Sequence, residues 1–232
     1  MKKIFVAVAM VALLVFVGSS SATTITIDRV GGYYSGNGGE FNIAGFGAAT
    51  NSLYASSVLV NNRYGAQGFE TFCLETDEYV SIPGTYNAAI NPNNQAWGGG
   101  SNTNSGDTIS RGTAYLYDLF SRGILTGYNY TAGSGRAASA AALQQTIWSL
   151  EDEGVANPGN FTALLVTQFG SWANAKLDIN MNYGVGVLNL TTSTGGLAQD
   201  QLVRTPVPEP GTMLLLGLGM VGVAVIRRKF KG

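Results

Sequence analysis

The sequence predicts an α+β fold in which a β-sandwich or barrel carries a helical insert of about three helices. Segments that alternate apolar and polar residues lie near both ends of the main body of the chain, and this pattern is typical of half-buried strands. The middle contains the alanine-rich run "RAASAAALQQTIWSLEDE" (136–153), which lacks glycine and proline and favours a helix. Strands, then helices, then strands is an order typical of an α+β domain.

The first half of the body predicts strands separated by turns. Residues 23–30, "TTITIDRV", alternate with the period of two that a strand requires. Further strands are predicted at 56–60, at 68–76 and, after a Pro-Gly turn signal, at 84–89. Glycines crowd residues 31–47, which indicates loops or glycine-tolerant strands, and residues 91–107 are predicted to form a polar loop.

The middle of the body predicts three helices. We expect them to begin at capping residues: Asp107 or Thr108, then Ser134, then Asn160. The first two are expected to end near Arg122 and Glu153. The chain then returns to strands at 184–190 and 199–205, and pairing of the first strand with the last is an open hypothesis.

The N-terminus predicts export. Lys2 and Lys3 precede an apolar run at 4–17, and Ser20-Ser21-Ala22 supplies the small residues that a signal peptidase requires. Residues 1–22 are therefore predicted to be a cleaved signal peptide, rather than an uncleaved anchor. Residues 23–205 are expected to form one extracytoplasmic domain.

The C-terminus combines Pro208-Glu209-Pro210, an apolar run at 213–226 and a basic tail. The apolar run predicts a single transmembrane helix, although it is short against the roughly 20 residues of a usual span. The basic tail is expected to stay in the cytoplasm, so that the body lies outside. The embedded GLGMVG (217–222) is not a nucleotide site, because no strand–turn–helix unit surrounds it.

This three-part order in residues 206–232 resembles the PEP-CTERM proteins of Gram-negative bacteria, whose tail is a sorting signal read by the membrane enzyme exosortase. The resemblance implies a sorting motif at Pro208, Glu209 and Pro210. It also implies a protein anchored in the inner membrane before processing, with the cell surface or extracellular matrix as its destination. Such proteins are typically associated with biofilm and exopolysaccharide, so exopolysaccharide is a further expected partner.

Composition excludes several function classes. Nearly half of the 13 Lys and Arg residues lie in the two terminal segments, whereas the 14 acidic residues lie between Asp28 and Glu209. An acidic body without a basic cluster argues against nucleic acid as a partner. The chain has no histidine and one cysteine, which excludes histidine-based triads and cysteine metal clusters. We expect no cofactor, no metal and no enzymatic activity.

Two short motifs surround Cys73 and Gln144. Phe72-Cys73-Leu74 lies in a predicted strand, and "LQQTIW" (143–148) lies in the predicted second helix. Together they resemble the paired motifs of the thioester domains of Gram-positive surface adhesins, with Thr146 replacing a residue that is often small. In that family the cysteine sulfur is joined to a glutamine carbonyl, and the thioester reacts with an amine on a target surface. The resemblance implies a Cys73–Gln144 cross-link and adhesion, with Gln145 as the alternative partner.

Other interpretations of these residues remain open. Cys73 is alternatively an inert structural thiol or forms an intermolecular disulfide, and the body is alternatively a non-covalent matrix or polysaccharide-binding module. In the thioester hypothesis, Phe72, Tyr79 and Trp148 exclude water. Carboxylates that could accept a proton from the amine are Glu75 and the run Glu151-Asp152-Glu153. A weaker glycosidase interpretation uses two acidic clusters: Glu75, Asp77 and Glu78, and the run Glu151-Asp152-Glu153.

Overall fold

The computed structural model describes residues 23–36, 38–98, 106–155, 158–179 and 183–206. The predicted signal peptide and the predicted transmembrane segment lie outside these ranges. Within them, no helix has both the length and the apolar character needed to cross a membrane.

The described residues contain nine strands. In chain order, β1 to β9 are Thr23–Asp28, Phe41–Ala44, Leu59–Asn61, Gln67–Thr71, Gly84–Asn91, Gln95–Ala96, Asp107–Thr108, Val185–Thr191 and Leu197–Arg204. Seven of them form an antiparallel sheet in the order β3-β4-β2-β1-β5-β8-β9, and β6 pairs with β7 in a separate ribbon. The segment between β7 and β8 contains most of the helical structure.

Five helices are described. In chain order, α1 to α5 are Gly47–Asn51, Arg111–Ser121, Ser134–Leu150, Thr162–Phe169 and Trp172–Ala175, and a 3₁₀ turn covers Ser56–Val58. The α+β class is therefore confirmed, with five helices among the described residues rather than about three. The two additional helices, α1 and α5, are short, and neither shows the long apolar periodicity by which a sequence pattern reveals a helix.

The predicted sandwich or barrel is wrong, because the sheet stays open. Beyond β4 the chain forms one bridge with β9, between Cys73 and Gln201, and two backbone hydrogen bonds flank this bridge. These are Leu202 N to Phe72 O and Leu74 N to Asp200 O, each 3.1 Å. These contacts connect β9, at one end of the sheet, with the chain just after β4, near the other end. They do not form a continuous ladder of backbone hydrogen bonds.

Strand pairing also corrects the hypothesis that the first strand pairs with the last. β1 lies inside the sheet between β2 and β5, whereas β9 pairs with β8. The glycine-rich segment 31–47 contains β2, which inserts between β1 and β4. Such long-range pairing leaves no local signal in the sequence.

Helix α2 begins later than the sequence predicts, because its cap is Ser110. The Ser110 hydroxyl accepts a hydrogen bond from Thr113 N at 3.1 Å, while Asp107 and Thr108 form β7. Ser134 is the first residue of α3 rather than its cap, and α3 ends at Leu150. A serine oxygen that satisfies a free backbone N–H of the first turn contributes about 1 kcal/mol to helix stability.

The hydrophobic core includes the side chains of the sheet together with those of α2 and α3. Phe72 packs edge-on against Phe120 of α2, with ring centroids 5.0 Å apart, and Leu143 and Ile147 of α3 are fully buried. Each such side chain contributes about 1.5–3 kcal/mol on burial. The core thus holds α2 and α3 beside the segment that carries Cys73.

A buried ion pair connects α3 to the residue before β2. Arg136 donates to both carboxylate oxygens of Glu40 at 2.7 Å, and both side chains are almost completely buried. Tyr128 donates a further bond of 2.6 Å to Glu40. Because removal of one partner leaves an uncompensated buried charge, loss of either costs about 3–5 kcal/mol. The pair therefore fixes the position of α3 against the segment that enters β2.

We predict that the protein loses stability as the pH rises from 5 to 8. Burial raises the pKa of Glu70 to about 8 and the pKa values of Glu151 and Asp200 to about 7. The folded state therefore binds these protons more tightly than the unfolded state, whose carboxyls titrate near 4. The three buried carboxyls contribute fully to the free energy of unfolding below about pH 4. This contribution is lost as the pH rises through 7 to 8.

Chemical denaturation at pH 5 and pH 8 measures this effect. In the Glu70→Gln variant the side chain at this position is uncharged at both pH values. Its free energy of unfolding should therefore decrease less between pH 5 and pH 8 than that of the wild type. A wild-type free energy of unfolding that is equal or higher at pH 8 would contradict the prediction.

Candidate functional site

The structure brings Cys73 and Gln144 into contact. Cys73 lies just beyond β4, at its bridge to β9, and Gln144 lies in the second half of α3. Both are buried, with 0% and 1% of their surfaces exposed. Gln145, the alternative partner, is exposed on the same helix. Full burial of the thiol also disfavours an intermolecular disulfide.

Four hydrogen bonds hold the Gln144 carboxamide, three with Cys73 and one with Gly39. Its Oε1 accepts from Gly39 N at 3.0 Å, from Cys73 N at 3.3 Å and from Cys73 Sγ at 3.4 Å. Its Nε2 donates to Cys73 O at 2.8 Å. The sulfur is therefore in van der Waals contact with the carboxamide.

Two backbone N–H groups converge on the Gln144 carbonyl oxygen, from Gly39 and from Cys73. This is the arrangement of an oxyanion hole, in which fixed donors stabilise the negative charge that develops when a carbonyl carbon is attacked. The donors need no imidazole and no metal. Such an arrangement would lower the barrier to attack on the carboxamide carbon by a nucleophile beside it.

Gly38 allows α3 to approach this closely, and Gly39 allows the close approach of Phe72. A Cβ at Gly38 would lie 2.5 Å from Gln144 Cγ and 3.3 Å from Trp148 Cη2, and one at Gly39 would lie 2.7 Å from Phe72 Cδ1. Sequence reasoning missed both residues. The glycine crowding at 31–47 was the available signal, and it does not distinguish these two from glycines in open loops.

Burial raises the pKa of the Cys73 thiol, while Trp148 and Arg29 act in the opposite direction. The Trp148 indole Nε1 is buried and forms no hydrogen bond of normal geometry in the described part of the chain. It nevertheless lies close enough to the sulfur to lower the thiol pKa. An N–H donor and a guanidinium are thus available to stabilise a thiolate.

An open crevice of about 640 Å³ leads to Gln144 from the surface. Its described lining includes Arg29, Gly38, Tyr79, Gln144, Gln145 and Trp148. Of the three aromatic residues expected to exclude water, Phe72 is fully buried and Trp148 is partly buried. Tyr79 does not exclude water, because 75% of its surface is exposed at the rim.

The acidic residues that the sequence singled out contact other groups. Glu151 binds Ser110 and Thr113, Glu153 binds Thr76, and Asp152 forms an ion pair with Lys176. Glu75 is buried, and none of the described lining residues of the crevice is acidic. Over the described ranges, no group of three or more Cys, Asp or Glu residues could hold a metal ion.

The comparison with protein families concerns the C-terminal tail. Residues 206–229 match the PEP-CTERM protein-sorting motif. The predicted sorting tail is thereby confirmed, and the match includes the triplet Pro208-Glu209-Pro210. No curated protein and no solved structure matches the chain. The resemblance to thioester domains therefore rests on its two sequence motifs.

We predict that Gly38→Ala exposes the Cys73 thiol. The added methyl group would push against Gln144 Cγ, and overpacking of this kind costs about 1–3 kcal/mol and displaces neighbouring side chains. In a Gln144→Ala protein the sulfur cannot form a thioester, so the rate at which a thiol-reactive reagent labels its Cys73 is the baseline for a free thiol. Under native conditions, the same reagent should label Cys73 of the Gly38→Ala variant at least as fast as this baseline.

Gly31→Ala is the matched control, because a Cβ at Gly31 meets no atom within 4 Å. Its Cys73 should stay protected as in the wild type. Equal protection of Cys73 in the Gly38→Ala and Gly31→Ala proteins would contradict the prediction.

Proposed function

We propose that this chain is an exported protein that attaches covalently to amine-bearing targets through an internal Cys73–Gln144 thioester. The PEP-CTERM motif indicates an exported substrate of exosortase that is anchored in the membrane before processing. The proposed destination is the cell surface or the extracellular matrix. The contact between Cys73 Sγ and the Gln144 carboxamide is the observation that carries the proposal for the body.

Formation of the thioester needs only groups of the chain itself. Cys73 Sγ attacks Gln144 Cδ, a carbon–sulfur bond forms, and the bond from Cδ to Nε2 breaks. The thiol proton leaves with the amide nitrogen as ammonia, so atoms and charge balance. Gly39 N–H and Cys73 N–H stabilise the tetrahedral oxyanion. Holding the two groups in contact supplies the orientation that the reaction requires.

The thioester then transfers the Gln144 acyl group to an amine. The amine nitrogen attacks Cδ, an amide bond forms, the carbon–sulfur bond breaks, and sulfur recovers a proton from the nitrogen. Trp148 and Arg29 favour the departing thiolate, since both lower the pKa of the Cys73 thiol. The product is a stable covalent amide, and the protein acts once per molecule rather than as an enzyme.

Burial gives the thioester its lifetime. Cys73 is fully buried, and Gln144 is 1% exposed at the base of the crevice. Burial limits the number of water molecules at the acyl carbon, and a slender amine that enters from the crevice is a stronger nucleophile toward a thioester than water is. An active acyl group is kept until a target amine arrives.

Intact mass of the purified, never-reduced protein tests the thioester. We expect a mass lower by one ammonia than that calculated for the same, processed chain, and addition of one methylamine on treatment with that amine. Cys73→Ala and Gln144→Ala should each abolish both behaviours. Gln145→Ala is the matched control and should retain both, because Gln145 is exposed.

The thioester proposal would be wrong if the wild-type protein has the mass of the unmodified chain and its thiol can be labelled after unfolding. The second candidate, a non-covalent polysaccharide-binding module, would then be favoured by the exposed Tyr79 ring at the rim of an open crevice. In that case, Cys73→Ala should leave surface attachment unchanged.

The sorting tail generates a separate prediction. We would fractionate cells that produce the full-length protein and cells that produce a version ending at Thr205. The distribution of each protein among the fractions is then compared. The full-length protein should pass through a membrane-bound form, because its tail is an exosortase substrate. The shortened protein should lack that form, and an identical distribution of the two would contradict a role of the tail in sorting.

A further inference from the structure

Arg29 is the charged side chain among the described residues that line the crevice. The guanidinium contacts the faces of two aromatic rings, 4.9 Å from the centroid of Tyr34 and 4.7 Å from that of Phe41. The crevice that leads to Gln144 therefore carries the positive charge of Arg29 on its wall.

Arg29 also contacts the backbone that forms the oxyanion hole. Its Nη2 donates to Gly38 O at 3.1 Å, and the next peptide N–H, that of Gly39, donates to Gln144 Oε1. The guanidinium is thus one peptide unit away from the donor that contacts the reacting carbonyl. A group bound at Arg29 would lie next to the path of an attacking nitrogen.

We infer that the preferred acceptor carries an anionic group close to its amine, and that Arg29 binds this group in the crevice. This inference rests on the thioester proposed above. A guanidinium pairs well with carboxylate and phosphate, so either anion fits. Binding the anion orients the amine toward Gln144 Cδ and thereby increases the fraction of bound amines that have the geometry required for attack. A second cation on the acceptor would instead be repelled by Arg29.

Three amines of similar length test the inference on the full-length protein: propylamine, β-alanine and 1,3-diaminopropane. Adduct formation is followed by intact mass, and each rate is divided by the concentration of the uncharged amine. At low salt we expect β-alanine to react about tenfold faster than propylamine, which corresponds to about 1.4 kcal/mol. We expect 1,3-diaminopropane to be the slowest, and added salt to reduce the differences.

A fourth amine, phosphoethanolamine, distinguishes the two anions. A rate above that of β-alanine assigns phosphate as the preferred group, and a rate below it assigns carboxylate. Either order supports the inference, provided that both amines exceed propylamine.

Arg29→Gln removes the charge while keeping a donor for Gly38 O, and Arg29→Lys keeps the charge. The ratio of β-alanine to propylamine should fall to about one in Arg29→Gln and stay well above one in Arg29→Lys. A purely structural role of Arg29 would slow both amines equally and leave this ratio unchanged. If Arg29→Gln does not form the thioester, the wild-type ratio and its salt dependence still decide the question.

The two proposals fail in different ways. If the wild-type protein has the unmodified mass and no amine adds, the thioester itself is wrong. If the thioester forms and all amines react at equal normalised rates, only the role of Arg29 in selecting the acceptor is overturned.

Discussion

Helix α3 is held on the sheet by two buried polar contacts to the segment that enters β2. Arg136 binds Glu40 through a bidentate ion pair, and about two turns later Gln144 binds Gly39 N and both backbone groups of Cys73. Neither contact is available to a shifted or rotated helix, since the buried carboxylate and the buried carboxamide would each lose their partners. The position of Gln144 against Cys73 thus depends on an ion pair that takes no part in the proposed chemistry.

The burial of Cys73 and Gln144 also opposes the proposed chemistry. Removal from water raises the pKa of the Cys73 thiol, which disfavours the thiolate that would attack the carboxamide and later leave the thioester. Groups already in place offset part of this cost: backbone N–H donors at the carbonyl oxygen, the indole of Trp148 and the charge of Arg29. In the proposed chemistry of a chain without histidine, fixed donors would take over the functions of an imidazole. Such donors stabilise charge without further rearrangement.

Export and the proposed chemistry are consistent with each other. The sorting tail marks a protein that works outside the cytoplasm, where ordinary covalent anchors such as disulfides require a partner cysteine and an exposed thiol. Cys73 is the one cysteine of the chain and is fully buried. Its proposed use is therefore internal, against a glutamine, with the crevice as the route by which an external amine reaches the acyl carbon.

The sequence by itself determined the sorting tail, the α+β class, the helix that carries Gln144 and the choice of Cys73, because these depend on local composition, periodicity and motif. Only the tertiary structure decided that the sheet stays open, that Gln144 rather than Gln145 meets the thiol, and that Gly38, Gly39 and Arg29 belong to the site. The orientation of a residue on α3 depends on how the helix docks, and the role of the glycines depends on which atoms approach them. Both are set by contacts between residues about 100 positions apart in the chain, such as Gly39 and Gln144, which no local pattern records.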